Sequence, residues 1–320
     1  MVKATTVFTP TDVPTITYVE RMDRNYEKEL RQAFAIPKMI VSISGPSKSG
    51  KTVLVSKVVT TDNLIHIYGA TIKTAADLWM NVLAWMGGAI EVTETAGSKT
   101  TGSVSATVGG KAGIPLVAQG KVDLQGGATF DTNSNTARKL ATSNLDQIVA
   151  EIGGSDFVVF IDDFHYIEKS VREDIGKEIK AAAEKGVRIC TASVPHRSDD
   201  VVRSNTELRG RVTSIDMSYW SSKELEEIAF RGFKELNADI APSVLTGLSN
   251  EAFGSPQLMQ AISLNFCFEN NIGETLEKHI RIDMGPKEVR KVLERTSATT
   301  DNSLARWSKT TGDGAQTIQI

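Results

Sequence analysis

Nine consecutive residues, Gly45, Pro46, Ser47, Lys48, Ser49, Gly50, Lys51, Thr52 and Val53, place four residues between a glycine and a Gly-Lys-Thr string. Glycine at both ends lets the backbone turn so that its N–H groups face inward. Those donors, with the N-terminus of a following helix, suit phosphate oxygens. Lys51 is placed to reach the outer phosphates of a nucleoside triphosphate, and the Thr52 hydroxyl to ligate Mg²⁺. A second candidate group closes the apolar run "FVVFIDDF". Asp162 is the expected Mg²⁺-side carboxylate, acting through a coordinated water, and Asp163 stands where a general base for an attacking water would stand. Asp is one methylene shorter than Glu, which suits a water held less firmly. A third polar position ends the run "VRICTAS": Ser193, or Thr191 in its place, as a sensor of the terminal phosphate.

These residues need elements to position them. "MIVSI", "NLIHIYG", "DFVVFIDDF", "VRICTAS" and "VTSIDM" are short apolar runs of the buried-strand type. "TITYVER" alternates like one more short strand. Between the strands, "NYEKELRQAF", "KTVLVSKVV", "TAADLWMNVLAWM", "ARKLATSNLDQIVAEI" and "SVREDIGKEIKAAAEKG" read as helices, the last stopped by Gly186. After Tyr219 only helices are expected, from "SSKELEEIAFRGFKEL" to about Thr296. Strands alternating with helices, then helices alone, predict a parallel α/β domain followed by a helical lid. The divisions expected are an N-terminal arm over 1–16, an α/β domain over 17–218, a helical lid over 219–296 and a loose tail over 297–320.

The strings "ISGPSKSGKT", "VVFIDD", "ICTAS", "TELRGRV" and "SSKELEEIAFRGF" together resemble the AAA+ ATPases, in the branch shared by origin-recognition ATPases and STAND signalling NTPases. The likeness runs from about Tyr18 to Asn270, apart from an insertion. It implies a P-loop NTPase with Walker A and Walker B motifs, bound ATP and Mg²⁺, and a homo-oligomer. "TYVER" matches the N-terminal element that packs near adenine in this branch, so the resemblance places Tyr18, Val19 and Arg21 at the base. No guanine-reading Asn-Lys-x-Asp string is present, which favours ATP. "ELRGRV" resembles the segment that carries an arginine finger into a neighbouring subunit, with Arg211 as the finger and Arg209 as the alternate. Gly254 and Pro256 match the G-x-P element of STAND proteins. The AAA+ pattern often has an arginine just after that proline; this chain has Gln257 there, which loosens the coupling between lid and hydrolysis.

Composition bounds the rest. The 320 residues are 40% hydrophobic and 23% charged, with net charge −3, so no global field draws the protein to nucleic acid or acidic lipid. The basic residues of "KHIRIDMGPKEVRKVLER" are interleaved with acids and read as a solvated helix face. Cys190 and Cys267 sit in apolar runs as small buried hydrophobes and suit a reducing compartment. His165 and His196 follow the acidic and sensor strands, without the ligand spacing of a metal site. No secretory signal and no run near the ~20 apolar residues of a membrane helix is read; the expected location is cytoplasmic. Residues 91–136 alternate small apolar and polar residues around the tip "GIPLVA", the pattern of an inserted β-hairpin. Three roles are open to it: contact with other subunits or a partner, a mobile loop, or membrane insertion. The expected protein is an ATP-binding, slowly hydrolysing switch that assembles and acts with a partner or effector, in signalling or in defence against phage or plasmids. The competing classes are a DNA-associated ATPase, such as a loader or transposition regulator, and a membrane-acting assembly.

Overall fold

The computed structural model describes residues 1–21, 24–87, 135–194, 208, 210–283 and 285–299. It divides into two compact units. One contains Tyr26–Gly45 and Leu54–Asp216; the other contains Met1–Asn25, Pro46–Val53 and the chain from Met217 onward.

The first unit is built on five strands, β1 (Ile40–Ser44), β2 (Leu64–Tyr68), β3 (Val158–Asp162), β4 (Arg188–Ser193) and β5 (Val212–Asp216). They lie in the order β2-β3-β4-β1-β5 and every pairing is parallel. This is the parallel α/β sheet expected from the buried apolar runs. Side chains alternate across a strand, so Ile65, Ile67, Val159, Ile161 and Ile189 share one face. That face packs with helices α4 (Ala75–Trp85), α5 (Asn135–Ile152) and α6 (Lys169–Glu184) through Leu78, Trp79, Ile148, Ile175 and Ile179. A capping box between Thr74 and Asp77 starts α4, and Gly186, at φ 91°, ends the turn after α6. Helix α2 (Tyr26–Ala35) precedes β1, and the Tyr26 hydroxyl donates to the Asp216 carbonyl at 3.2 Å.

The second unit has its own apolar core. Helices Ser222–Glu235, Pro242–Glu251, Pro256–Glu269 and Pro286–Thr299 supply most of it, including Ile228, Phe233, Leu248, Met259 and Phe266. Two expectations change here. Strands do not stop at Tyr219: Ala238–Ile240 and Ile280–Ile282 form a two-stranded parallel sheet. Three residues each, they were too short to show a period in the sequence. The Thr- and Pro-rich start is also not a free arm. Helix α1 (Ala4–Val7) buries Ala4 and Val7, and Phe8 lies fully buried 5.0 Å from the Phe233 ring. Gly232 makes that possible, since a Cβ there would stand 2.3 Å from the Phe8 ring.

Smaller differences follow. "TITYVER" forms turns and irregular chain rather than a strand, with the Thr17 hydroxyl donating to the Val7 carbonyl. The final helix runs to Thr299, past the expected start of a tail. The tail beyond it, the alternate arginine Arg209, His196 and the hairpin expected over 91–136 lie outside the described residues, save that Asn135 and Thr136 open α5. Among the described residues no helix is long and apolar enough to cross a membrane.

Candidate functional site

At the carboxyl edge of the parallel sheet, β1 hands the chain to the glycine loop. Ser44 lies level with Ser193 of β4 on one side and Asp216 of β5 on the other. The Ser44 hydroxyl donates to Asp216 Oδ1 at 2.8 Å, and the Gly45 N–H to the Ser193 carbonyl at 3.2 Å. Strand β4 separates β1 from β3, so Ser193 is buried at the strand end between the loop-bearing strand and the acidic strand. Thr191, the alternate, is two residues deeper, level with Ser42 and Ile161.

The acidic pair splits in character. Asp162 closes β3, is nearly buried, and has both oxygens engaged. Its Oδ1 accepts the Asp163 N–H at 2.9 Å, and its Oδ2 lies 3.3 Å from His66 Nε2. His66 escaped the sequence reading. Residue 66 pairs with 160 across β2 and β3, so it shares a sheet face with Asp162. Its ring stacks on Phe160 at 5.1 Å. A polar residue amid "LIHIY", in step with the acidic strand, was the available signal. Asp163 turns away into the left-handed region at φ 52°, with its side chain 46% exposed. Asp tolerates that conformation better than most side chains. Gly69 holds the turn from below: a Cβ on it would meet the Asp163 carbonyl oxygen at 2.5 Å. Asp163 therefore offers a solvent-facing carboxylate, 3.9 Å from His165 Nδ1, while Asp162 is fixed.

Within the second unit, the loop Pro46–Val53 leads into helix α3 (Lys51–Val58). Lys48 and Gly50 both take positive φ, 62° and 93°. A Cβ at Gly50 would meet nothing within 4 Å, so the glycine is required by its backbone angle, and the space beside it is open. Lys51 is only 7% exposed and folds back over the loop, Nζ to the Pro46 carbonyl at 2.8 Å. The Ser49 hydroxyl is buried and has no hydrogen-bond partner among the described residues. A buried ammonium, an orphaned hydroxyl and open space beside a left-handed glycine fit a phosphate group. Thr52 is half-buried on the first turn of α3.

The residues expected at the base are also in this unit, in a different posture. Val19 is core. The Tyr18 carbonyl accepts from Arg231 Nη1 at 2.6 Å. Arg21 is buried; it donates to Glu224 Oε1 at 2.8 Å, the Ser218 carbonyl at 2.9 Å and the Tyr219 carbonyl at 3.2 Å. Burial alone would raise the Glu224 carboxyl, but the hydrogen bonds from Arg21 and Ser221 outweigh it and hold Glu224 below its ordinary range. Arg21 thus clamps the backbone at 218–219 to Glu224. Trp220, beside it, was also missed: its indole N–H donates to the Ser49 carbonyl at 3.0 Å. Pro256 starts its helix at the position after Ser255, whose hydroxyl caps the Leu258 N–H.

Arg211 stands elsewhere. Its carbonyl accepts the Ile40 N–H at 2.8 Å, at the amino edge of the sheet, and its guanidinium pairs with Glu184 at 3.0 Å. Among the described residues no group of three His, Cys, Asp or Glu side chains is placed to hold a metal ion by itself. Both cysteines are buried. Burial, then the charge of Asp162, holds the Cys190 thiol well above its usual value, and burial pushes Cys267 up to about 12.

A glycine loop after the first strand, an acidic strand end two strands away and the strand order given above define an AAA+-type P-loop ATPase fold. Solved structures share it. Cdc6p from Pyrobaculum aerophilum aligns at 14% identity over 92% of this chain and 72% of its own, with a TM-score of 0.55. The Walker-type ATPase PABY2304 of Pyrococcus abyssi aligns at 13% identity over 93% of this chain and 81% of its own, with a TM-score of 0.54. No protein-family model matches the sequence, and no curated protein does.

Proposed function

We propose that this chain binds ATP with Mg²⁺ on the loop Gly45–Val53 and hydrolyses it slowly, as a switch that assembles with copies of itself. The observation that carries the reading is Lys51, a buried ammonium folded onto its own loop beside the orphaned Ser49 hydroxyl. A lysine is seldom this buried, and one folded over a glycine loop has only to turn its ammonium to meet a phosphate. In this reading the loop amides and Lys51 take the phosphates. Thr52 and Asp162 hold Mg²⁺, which supplies neutralisation of phosphate charge when bound. Asp163 accepts a proton from the attacking water, and Ser193 contacts the terminal phosphate. Tyr18, Val19, Arg21 and Pro256 line the adenine end, with Arg21 acting through the 218–219 backbone it clamps.

Two features support slow turnover. The base is an exposed aspartate on a turn, and Gln257 replaces a lid arginine. The switch acts with a protein partner or effector in the cytoplasm; a role in defence signalling against phage or plasmids rests on the family resemblance alone. Titration calorimetry with ATP and Mg²⁺ tests the core of the reading. Binding by wild type that is weakened at least about 10-fold in Lys51→Ala is the expected result, and equal affinity in both proteins contradicts it. Salt-dependent DNA binding by the same protein would move the assignment to a DNA-associated ATPase.

A further inference from the structure

We propose that Trp220 is a positioning residue for the phosphate loop, acting through the peptide bond between Ser49 and Gly50. The inference rests on the reading that this loop binds nucleotide phosphates.

The peptide in question lies between two residues of positive φ, Lys48 at 62° and Gly50 at 93°. Glycine populates both signs of φ with similar ease, so a peptide beside one flips readily unless held. The preceding peptide is tied within the turn, where the Ser49 N–H donates to the Pro46 carbonyl at 3.3 Å. The Ser49 carbonyl is held from outside the loop, by the Trp220 indole N–H at 3.0 Å. No cis peptide is present among the described residues, and in a trans peptide C=O and N–H point in opposite directions. Pinning the Ser49 carbonyl onto Trp220 therefore directs the Gly50 N–H away from the indole, as a preset donor for a phosphate oxygen.

Trp220 is itself held at its backbone and at its ring. Its backbone N–H donates to the Gly254 carbonyl at 3.1 Å. Gly254, at φ 73°, sits so close that a Cβ would stand 2.9 Å from Tyr219 Cβ. The Arg21 guanidinium lies 5.1 Å from the indole centroid and also binds the carbonyls of the two preceding residues. The one polar atom of the side chain is spent on the loop. An indole N–H placed beside a buried arginine that is paired with a partly exposed glutamate is a rigid way to fix a peptide plane, because a Trp side chain has few torsions to lose. The nucleotide and the 218–220 segment are then linked: a phosphate that binds the Gly50 N–H polarises the same peptide that Trp220 holds.

The test uses the full chain labelled with ¹⁵N-tryptophan. The Trp220 indole resonance is assigned by its contacts in wild type and by its disappearance in Trp220→Phe, which keeps an aromatic ring beneath Arg21 and removes the donor. Added Mg²⁺·ADP or Mg²⁺·ATP should shift this resonance in wild type and leave it in place in Lys51→Ala. Trp220→Phe should weaken nucleotide affinity about three- to tenfold, the worth of one hydrogen bond, with the thermal midpoint close to wild type. Wild-type nucleotide binding with an unmoved Trp220 resonance overturns the proposal and leaves the nucleotide reading intact. So does wild-type affinity in Trp220→Phe. Absence of nucleotide binding by wild type overturns both.

Discussion

Substitutions at Lys51, Asp163 and His66 test the proposed chemistry, each in its own way. Lys51→Ala removes a hydrogen bond from a cation to phosphate, worth about 1.5–3 kcal/mol, so ATP affinity should drop about 10- to 100-fold by calorimetry. Asp163→Asn keeps the shape of an exposed turn residue and loses the proton acceptor; phosphate release should fall at least about 100-fold with ATP affinity unchanged. A mutant that turns over like wild type would remove Asp163 as base. His66→Phe keeps the stack on Phe160 and loses the partner of Asp162 Oδ2. It should raise the Mg²⁺ concentration needed for half-maximal turnover, whereas His66→Gln, which can still donate, should recover part of the loss. At this scale the sequence was informative where a motif spans consecutive residues, as in Gly45–Val53 and Asp162–Asp163. His66 and Trp220 reach the site from elements distant in sequence, through strand register and tertiary packing, and no local spacing announces either.

Elements position these groups by close approach as much as by regular structure. Gly232 lies against the Phe8 ring at a distance no Cβ can occupy, so Gly232→Ala must displace Phe8 and with it the start of the chain. The expected cost is about 1–3 kcal/mol, and limited proteolysis should then cut within residues 1–16 before the rest unfolds. A cleavage pattern equal to wild type would mean that Phe8 finds another seat. Glu224 gives the same unit a pH signature. Its folded carboxyl is held below the ordinary glutamate range, so its stabilising contribution is fully present above that range and is lost as pH falls through the lower folded value. Glu224→Gln should destabilise the protein at neutral pH and flatten the decline of thermal midpoint in acid. Elements with a long apolar period were legible: the five sheet strands, and helices such as Ala75–Trp85 and Ser222–Glu235. The N-terminal segment was not, because its Thr and Pro content reads as loose chain while its few apolar residues, Ala4, Val7 and Phe8, find a partner surface more than 200 residues away.

For the whole molecule the decisive residue is Arg211. It precedes β5 at the amino edge of the sheet, one residue before Val212, which lies level with Ile40 at the start of β1. The strand from Ile40 to Ser44 separates that edge from the carboxyl edge by about 13 Å, at about 3.3 Å per residue. Ser193 and Asp162 stand at the far end. An arginine side chain spans roughly half that distance, so Arg211 cannot serve the acidic edge of its own sheet; if it serves one, the edge belongs to another copy. Its Glu184 partner is about as exposed as it is, and an exposed pair of this kind is worth only about 0–1 kcal/mol, which leaves the guanidinium available for exchange. Arg211→Ala should therefore bind ATP as wild type does and lose turnover by up to about 10³-fold. Asp163→Asn should be inactive for a different reason. Mixing the two should restore activity, since a site with Asp163 on one subunit can then meet Arg211 on its neighbour, and the recovered rate should rise with total protein concentration. A rate per subunit independent of concentration, with no recovery on mixing, would make the protein an ATPase that works as a single chain and would return Arg211 to a surface ion pair.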